Sequence, residues 1–124
     1  MIEPSRKHIL LVEDDDSIRH SLLEALGDEG YDVHGVSNGK EALEYLSAPR
    51  LPVALILLDT MMPVMDGFAF RAAQVKDALL AAIPTILYSA DGTIRERAQA
   101  IDLPFLQKPF KLAQLFEALS RHIL

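Results

Sequence analysis

Apolar residues along this chain fall into short continuous runs that are separated by longer amphipathic stretches. Five runs predict β-strands, at residues 9–12, 31–36, 53–58, 84–89 and 105–107. The third run lies between Pro52 and Pro63, and its uninterrupted apolar character is typical of a strand buried on both faces. The pattern therefore indicates a sheet whose central strands are covered on both sides.

The amphipathic stretches between these runs predict five helices. Their expected ranges are about 16–26, 39–48, 66–80, 91–101 and 111–124. In the first helix, Ile18, Leu22 and Leu26 recur at helical spacing. Strands that alternate with helices predict an α/β fold, with a doubly wound five-stranded parallel sheet and helices on both faces.

Length and composition favour a single globular domain. The chain has 124 residues, and half of them are apolar. Its net charge of −6 and scattered Lys and Arg residues argue against direct nucleic-acid binding, and the absence of Cys excludes disulfides and thiolate metal sites. The first eight residues are mixed in charge, and no apolar run approaches the roughly 18 residues of a membrane span. We therefore expect a cytoplasmic protein with no membrane insertion.

Polar side chains with complementary chemistry follow four of the five strands. Glu13 and Asp14 follow the first strand, Asp59 the third, Ser89 the fourth and Lys108 the fifth. Because the strands are parallel, these residues share one edge of the sheet, where open α/β sheets bind ligands. Crowded carboxylates repel one another unless a cation joins them, and such oxygen ligands suit Mg²⁺. A lysine and a hydroxyl beside that ion are arranged to handle phosphoryl oxygens.

Each of these residues also has an ordinary structural explanation. The acidic run 13–16 would serve as a solvated helix cap, since acids favour helix N-termini. Ser89 alone would bond to backbone, Lys108 alone would be a surface lysine, and Asp59 alone would end a strand. The combination at successive strand ends is what favours a site.

Four motifs around these positions are those of a known family. They are Ile9–Asp15 (ILLVEDD), Leu58–Gly67 (LDTMMPVMDG), Tyr88–Ala90 (YSA) and Lys108–Phe110 (KPF). With these motifs in this order, the chain resembles a receiver domain of two-component response regulators, of the stand-alone chemotaxis-regulator type, over residues 7–124. The resemblance implies a single receiver domain over 1–124, with a flavodoxin-like fold and strand order 2-1-3-4-5. Its implied function is that of a phosphoacceptor signalling switch.

The resemblance also implies a phosphodonor and a cofactor. Asp59 would be the phosphoacceptor, attacking the phosphohistidine of a histidine kinase or of a histidine phosphotransfer protein. The cofactor would be Mg²⁺ or Mn²⁺, bound by Asp59 and Asp14 directly and by Glu13 more through water. The backbone carbonyl of Met61 would supply a further metal ligand.

The remaining family positions concern the phosphoryl group and the response to it. Lys108 would pair with a phosphoryl oxygen, and its bond to Pro109 would be cis. Ser89 would be the switch hydroxyl, and Ala90 would donate its backbone N–H to the phosphoryl group. Phe105 would turn inward as Ser89 moves, so that the face of the fourth helix, fifth strand and fifth helix changes its affinity for a partner. The implied protein is a switch rather than an enzyme, with weak Mg²⁺-dependent self-phosphorylation and self-dephosphorylation.

One stretch departs from the family pattern. The chain between Ser89 and Lys108 is a few residues shorter than usual, so we expect a short or displaced fourth helix. This region normally forms the output and dimerisation face, which leaves the downstream target unknown and makes a homodimer one candidate assembly. Beside the site, an apolar Met61 would hinder an attacking water, whereas Asp91 would orient one.

Three other functions fit the sequence less well. A phosphorylation-independent binding module with a receiver fold would suit the shortened helix, but the complete set of site residues argues against it. An aspartyl-nucleophile phosphatase would carry a second Asp where Met61 stands, and a nucleotide-binding flavodoxin-like protein would have a Gly-rich loop after the first strand. The four histidines, at positions 8, 20, 34 and 122, lack metal-ligand spacing and suit surface or strand-end roles.

Overall fold

The computed structural model describes residues 6–48 and 52–123, in which five strands alternate with six helices. The strands are β1 (His8–Val12), β2 (Asp32–Val36), β3 (Leu55–Asp59), β4 (Thr85–Ser89) and β5 (Phe105–Gln107). The helices are α1 (Asp16–Asp28), α2 (Gly39–Ser47), α3 (Gly67–Gln74), α4 (Ala78–Ala81), α5 (Ile94–Ala100) and α6 (Leu112–His122). No helix in this part of the chain has the length and apolar character needed to cross a membrane.

All five strands are parallel and form one sheet in the order β2-β1-β3-β4-β5. This confirms the predicted α/β fold and the strand order that the family resemblance implied. Val12 pairs with Leu58, and Asp59 pairs with Tyr88, so the carboxyl ends of β1, β3 and β4 lie level with one another. Every residue of these three strands is buried, as the continuous apolar run of β3 predicted for that strand.

Each face of the sheet has its own core, because successive residues of a strand point to opposite faces. Leu10 and Leu58 belong to a core cluster that α2, α3 and α5 complete, with Phe70 as its largest side chain. Leu11 and Leu57 belong to a second cluster, which α1 and α6 complete. Helices therefore cover both faces of the sheet, as predicted.

The single long helix predicted after β3 is divided in two. α3 ends at Gln74, and Asp77 then begins α4 by accepting a hydrogen bond from the backbone N–H of Leu79 (2.9 Å). The buried Gln74 amide donates to the carbonyl oxygen of Leu80 (2.8 Å) and to Thr85 Oγ1 (3.1 Å). One amide thus ties α4 to β4 and stabilises the break, because buried polar groups need partners.

The helix between β4 and β5 is short, as the sequence predicted. α5 has seven residues and ends in a turn in which Asp102 has a φ of 54°. A residue in the left-handed region closes the C-terminus of a helix and turns the chain at once into β5. Of the α5 side chains only Ile94 and Ala98 are buried, so this helix rests on the sheet through a small contact.

The four histidines are within the described residues, and His8 differs from the others in its burial. It begins β1, which is the predicted kind of strand-end position, but its side chain is only 7% exposed. Its Nδ1 lies 2.9 Å from the Asp32 carboxylate, and its Nε2 lies 2.5 Å from the hydroxyl of Tyr45. This cluster is at the amino ends of the strands, away from the polar residues at their carboxyl ends.

Candidate functional site

The carboxyl ends of β1 and β3 bring three carboxylates together. Glu13, Asp14 and Asp59 each offer one oxygen atom, and these atoms all lie within 4.8 Å of one another. Glu13 and Asp59 are 1% and 3% exposed, whereas Asp14 is open to solvent. The register of the parallel sheet therefore places the predicted acidic residues side by side.

Lys108 reaches this acidic cluster from the loop after β5. Its Nζ lies 3.4 Å from Glu13 Oε1 and 3.8 Å from Asp59 Oδ2. The Lys108–Pro109 bond is cis, as predicted, and the backbone N–H of Lys108 donates to the carbonyl oxygen of Ser89 (2.8 Å). The lysine is thus fixed to β4 by its backbone while its ammonium group faces both buried carboxylates.

Glu13 is held as an anion by several donors. The Tyr88 hydroxyl donates to its Oε1 (2.8 Å), and the backbone N–H of Asp15 donates to its Oε2 (3.0 Å). Burial raises the pKa of Glu13, but these donors and the Lys108 ammonium outweigh burial and hold the pKa below its usual value. The sequence motif contained Tyr88 without indicating a role for it. Its position directly across from Asp59 in the sheet register explains why its hydroxyl reaches the site.

Asp59 accepts fewer hydrogen bonds than Glu13, and its pKa shifts in the opposite direction. Its Oδ1 accepts a hydrogen bond from the backbone N–H of Met61 (3.2 Å). Burial and the nearby charge of Glu13 raise the pKa of Asp59 to about 7, although the Met61 N–H and Lys108 oppose this shift. The carboxyl group is therefore partly protonated near neutral pH, and added positive charge beside it would favour the ionised form.

The loop between β3 and α3 approaches the site closely. The N–H of Gly67 donates to the carbonyl oxygen of Thr60 (3.2 Å), and a Cβ at Gly67 would lie 2.6 Å from the carbonyl oxygen of Asp59. Only glycine fits so near this backbone. Met61 is 62% exposed at the rim of the loop, and among the described residues the Thr60 hydroxyl is a buried group without a hydrogen-bond partner.

Of the two predicted switch residues, Ser89 lies beside the acidic cluster, and Phe105 lies farther away on β5. Ser89 ends β4 and is fully buried, and its Oγ accepts a hydrogen bond from the backbone N–H of Asp91 (3.0 Å). Ala90, which follows it, is exposed. Phe105 is half-buried in β5, where it pairs with Leu87 and packs against the core on the α5 side of the sheet. Phe105 is therefore on the next strand from Ser89 rather than among the carboxylates.

The sequence comparisons agree with this geometry. The family model for the response regulator receiver domain matches residues 9–120. The chain belongs to the response regulator receiver domain family. It is 36% identical over 120 residues to the response regulator Rre1 of Synechocystis sp., covering 94% of this chain and 51% of that protein. The chain spans about half the length of the curated relatives that head the comparison.

Solved receiver structures share the fold. The chemotaxis response regulator CheY4 of Vibrio cholerae matches with a TM-score of 0.83 and 29% identity, over 94% of this chain and 98% of that chain. The receiver domain of the sensor histidine kinase PA1611 from Pseudomonas aeruginosa matches with a TM-score of 0.84 and 29% identity, over 95% and 98%. That structure has a magnesium ion coordinated in its active-site cleft.

The acidic cluster of this receiver domain fits a divalent cation. Its three carboxylates are hard oxygen donors, and the exposed Asp14 leaves one side open for water, which Mg²⁺ retains when it binds to proteins. Burial and the charge of Glu13 raise the pKa of Asp59 in spite of the opposing Lys108 ammonium. A cation at this position would favour the ionised form of Asp59.

Proposed function

We propose that this receiver domain is a phosphoacceptor switch in which Asp59 takes a phosphoryl group from a histidine kinase or a histidine phosphotransfer protein. The observation that carries this proposal is the meeting of Asp59 with Glu13, Asp14 and Lys108 at one edge of the sheet. A buried carboxylate between two further acids and an ammonium group has little structural value by itself, since burying charge is costly. The same arrangement suits the binding of a phosphoryl group.

In the proposed reaction, an Asp59 oxygen attacks the phosphorus of a phosphohistidine. The O–P bond forms as the P–N bond breaks, and the imidazole nitrogen keeps the electron pair and later takes up a proton. Lys108 Nζ, which already lies 3.8 Å from Asp59 Oδ2, would neutralise charge on a phosphoryl oxygen. Its attachment to β4 keeps this ammonium group in place while the new anion forms.

Mg²⁺ or Mn²⁺ would be held by Asp14, Asp59 and the backbone carbonyl of Met61, with Glu13 acting mainly through water. When bound, the ion would supply positive charge that balances the phosphoryl oxygens. Glu13 suits an indirect role, because the Tyr88 hydroxyl and the Asp15 N–H already occupy its oxygens.

The response to phosphorylation would run through β4 and β5. The Ser89 hydroxyl and the Ala90 N–H would donate to the phosphoryl group, and Phe105 would turn inward in the space that Ser89 vacates. The face formed by α5, β5 and α6 would then change its affinity for a downstream protein or for a second copy of the chain.

Receiver domains are signalling switches and not conventional enzymes, so only weak Mg²⁺-dependent self-phosphorylation and self-dephosphorylation are part of the proposal. A cytoplasmic location is also part of it.

Mass spectrometry after incubation with acetyl phosphate and Mg²⁺ tests the proposal. The wild-type chain should gain one phosphoryl group, and Asp59→Asn should abolish the gain. Asp28→Asn, which changes an exposed carboxylate at the end of α1, should be labelled like the wild type. An unlabelled wild-type chain would contradict the proposal and favour a phosphorylation-independent binding module.

A further inference from the structure

An arginine on α5 is connected to the switch hydroxyl through one carboxylate. Arg97 Nη1 lies 3.3 Å from Asp91 Oδ2, while Asp91 Oδ1 accepts hydrogen bonds from the backbone N–H and the hydroxyl of Thr93 (both 2.8 Å). The backbone N–H of Asp91 in turn donates to Ser89 Oγ (3.0 Å). The loop that follows β4 is therefore held by its side chains in a conformation that engages the Ser89 hydroxyl.

The same guanidinium group is anchored to α3. Its carbon Cζ lies 3.8 Å from the centroid of the Phe68 ring, a distance typical of a stacked cation–π contact. Arg97 and Phe68 line an open groove of about 450 Å³ beside the acidic cluster, together with Thr60 and Met61. We use the term Arg97 bridge for Arg97 with its two partners, Asp91 and Phe68.

The bridge matters because α5 has few other contacts, among them Arg95, whose Cζ lies 5.7 Å from the centroid of the Phe105 ring on β5. Ile94 and Ala98 are its two buried residues, and the helix has only seven residues. A contact that fixes the loop before α5 to α3 therefore has a large share in positioning that loop.

We propose that Arg97 is a positioning residue that holds Ser89 in its unphosphorylated arrangement through Asp91, so that the Arg97 bridge sets how readily the domain accepts a phosphoryl group. This inference rests on the proposed function of Ser89 and Asp59. In the proposed switch Ser89 moves toward the phosphoryl group, so its Oγ must either release the Asp91 N–H or carry the segment from Ser89 to Asp91 with it. The bridge opposes that movement, because the ion pair and the ring contact both keep Asp91 where it is.

The first test measures the initial rate of labelling by acetyl phosphate with saturating Mg²⁺. Arg97→Ala should raise this rate about three- to tenfold, the range that an exposed ion pair and a cation–π contact support together. Arg121→Ala is the matched control, because it removes an exposed arginine that pairs with Glu117 on α6. Its rate should stay at the wild-type value.

A second set of variants separates the bridge from general loosening. Phe68→Leu should raise the labelling rate, whereas Phe68→Tyr keeps the ring face and should not. The double variant Arg97→Ala with Phe68→Leu should be no faster than Arg97→Ala alone, since both changes break one bridge. Rate increases that multiply in the double variant would contradict the proposal.

A spectroscopic readout follows the bridge without any phosphoryl transfer. In the unphosphorylated chain, hydrogen exchange of the Asp91 amide should accelerate about three- to tenfold in Arg97→Ala, because its bond to Ser89 Oγ opens more often. An unchanged exchange rate would overturn the proposal, as would a variant that speeds only the loss of the phosphoryl group after the donor is removed. If the wild-type chain is not labelled at all, the proposed function fails, and the exchange experiment alone still decides whether the Arg97 bridge orders the loop.

Discussion

At the scale of single residues, the two buried carboxyl groups of the site differ in their protonation because their donors differ. Glu13 receives hydrogen bonds from the Tyr88 hydroxyl and a backbone N–H, and its pKa lies below the usual value. Asp59 receives one backbone N–H, and burial together with the nearby charge of Glu13 raises its pKa to about 7. Glu13 therefore ionises first, and its charge delays the ionisation of Asp59.

This difference makes the stability of the metal-free protein depend on pH. The folded state holds the Asp59 proton more tightly than the unfolded chain, in which the pKa is 3.8. The contribution of Asp59 to the free energy of unfolding should therefore fall as the pH rises from about 4 to about 7, and its loss should be complete above that range. At about pH 8 Asp59 is mostly ionised and its buried charge is unfavourable, whereas Asn is neutral, so Asp59→Asn should stabilise the protein by about 2 to 4 kcal/mol.

Urea denaturation in EDTA at about pH 5 and about pH 8 measures this effect. Asp28→Asn is the control and should follow the wild-type pH dependence, because that carboxylate is exposed. Equal stability of Asp59→Asn and the wild type at the higher pH would show that Asp59 carries no electrostatic cost.

The acids and the lysine of the site could be predicted from sequence because each follows a recognisable strand. Parallel strands bring their carboxyl ends together. The proximity of Glu13, Asp14, Asp59 and Lys108 could therefore be predicted without knowledge of side-chain conformation. No role could be assigned to Tyr88 in this way. Its hydroxyl donates to Glu13 across two strands of the sheet, and that contact depends on register and on side-chain direction.

At the scale of elements, the loop between β3 and α3 combines conformational strain with close packing. Val64 has a φ of 68°, which is unfavourable for a β-branched residue, and its side chain is 79% exposed. Val64→Asn should stabilise the protein by about 0.5 to 1 kcal/mol, since Asn tolerates the left-handed region and little apolar burial is lost.

Val75→Asn provides the matched control for this loop. Val75 is also largely exposed, but its φ of −71° suits any residue, so the same substitution should bring no gain. Urea denaturation of both variants gives the comparison. A Val64→Asn variant that is no more stable than Val75→Asn would mean that the strain at position 64 is negligible.

Two glycines, Gly67 and Gly27, should respond oppositely to substitution by alanine. At Gly67 a Cβ would lie 2.6 Å from the carbonyl oxygen of Asp59, so Gly67→Ala must displace the backbone at Asp59. We expect a destabilisation of about 2 to 4 kcal/mol, together with slower labelling by acetyl phosphate. At Gly27, inside α1, nothing lies within 4 Å of a Cβ, and Gly27→Ala should stabilise the protein by about 0.5 to 1 kcal/mol with labelling unchanged. Similar effects of the two substitutions in denaturation and labelling experiments would contradict this explanation.

The break between α3 and α4 could not be predicted from the pattern of apolar residues. Apolar residues continue past Gln74 at spacings that fit one helix, so the pattern predicts no interruption. The break depends instead on the Gln74 amide, which bonds to Leu80 and to Thr85 on β4. A tertiary contact of this kind is not visible in local periodicity, although Asp77 is a residue type that begins helices.

At the scale of the whole molecule, alternating strands and helices were sufficient to predict a doubly wound parallel sheet, but not its strand order. Right-handed crossovers leave several arrangements open, and only the family motifs selected the order 2-1-3-4-5. The short α5 was visible in the sequence as a shortened segment between Ser89 and Lys108. The attachment of α5 through Arg97 and Phe68 depends on side-chain contacts that the sequence pattern does not indicate.

A divalent cation should stabilise the whole fold, because it would bind the three carboxylates only when β1 and β3 lie side by side. At about pH 8, Mg²⁺ at about 10 to 100 times its dissociation constant should raise the free energy of unfolding by about 1.4 to 2.7 kcal/mol. The gain should shrink at about pH 5, where the Asp59 proton competes with the ion. Thermal denaturation with and without Mg²⁺ measures both effects. Asp14→Asn should lose most of the gain and Asp28→Asn should keep it, whereas equal gains in both variants would indicate a general salt effect and no metal site at the ends of β1 and β3.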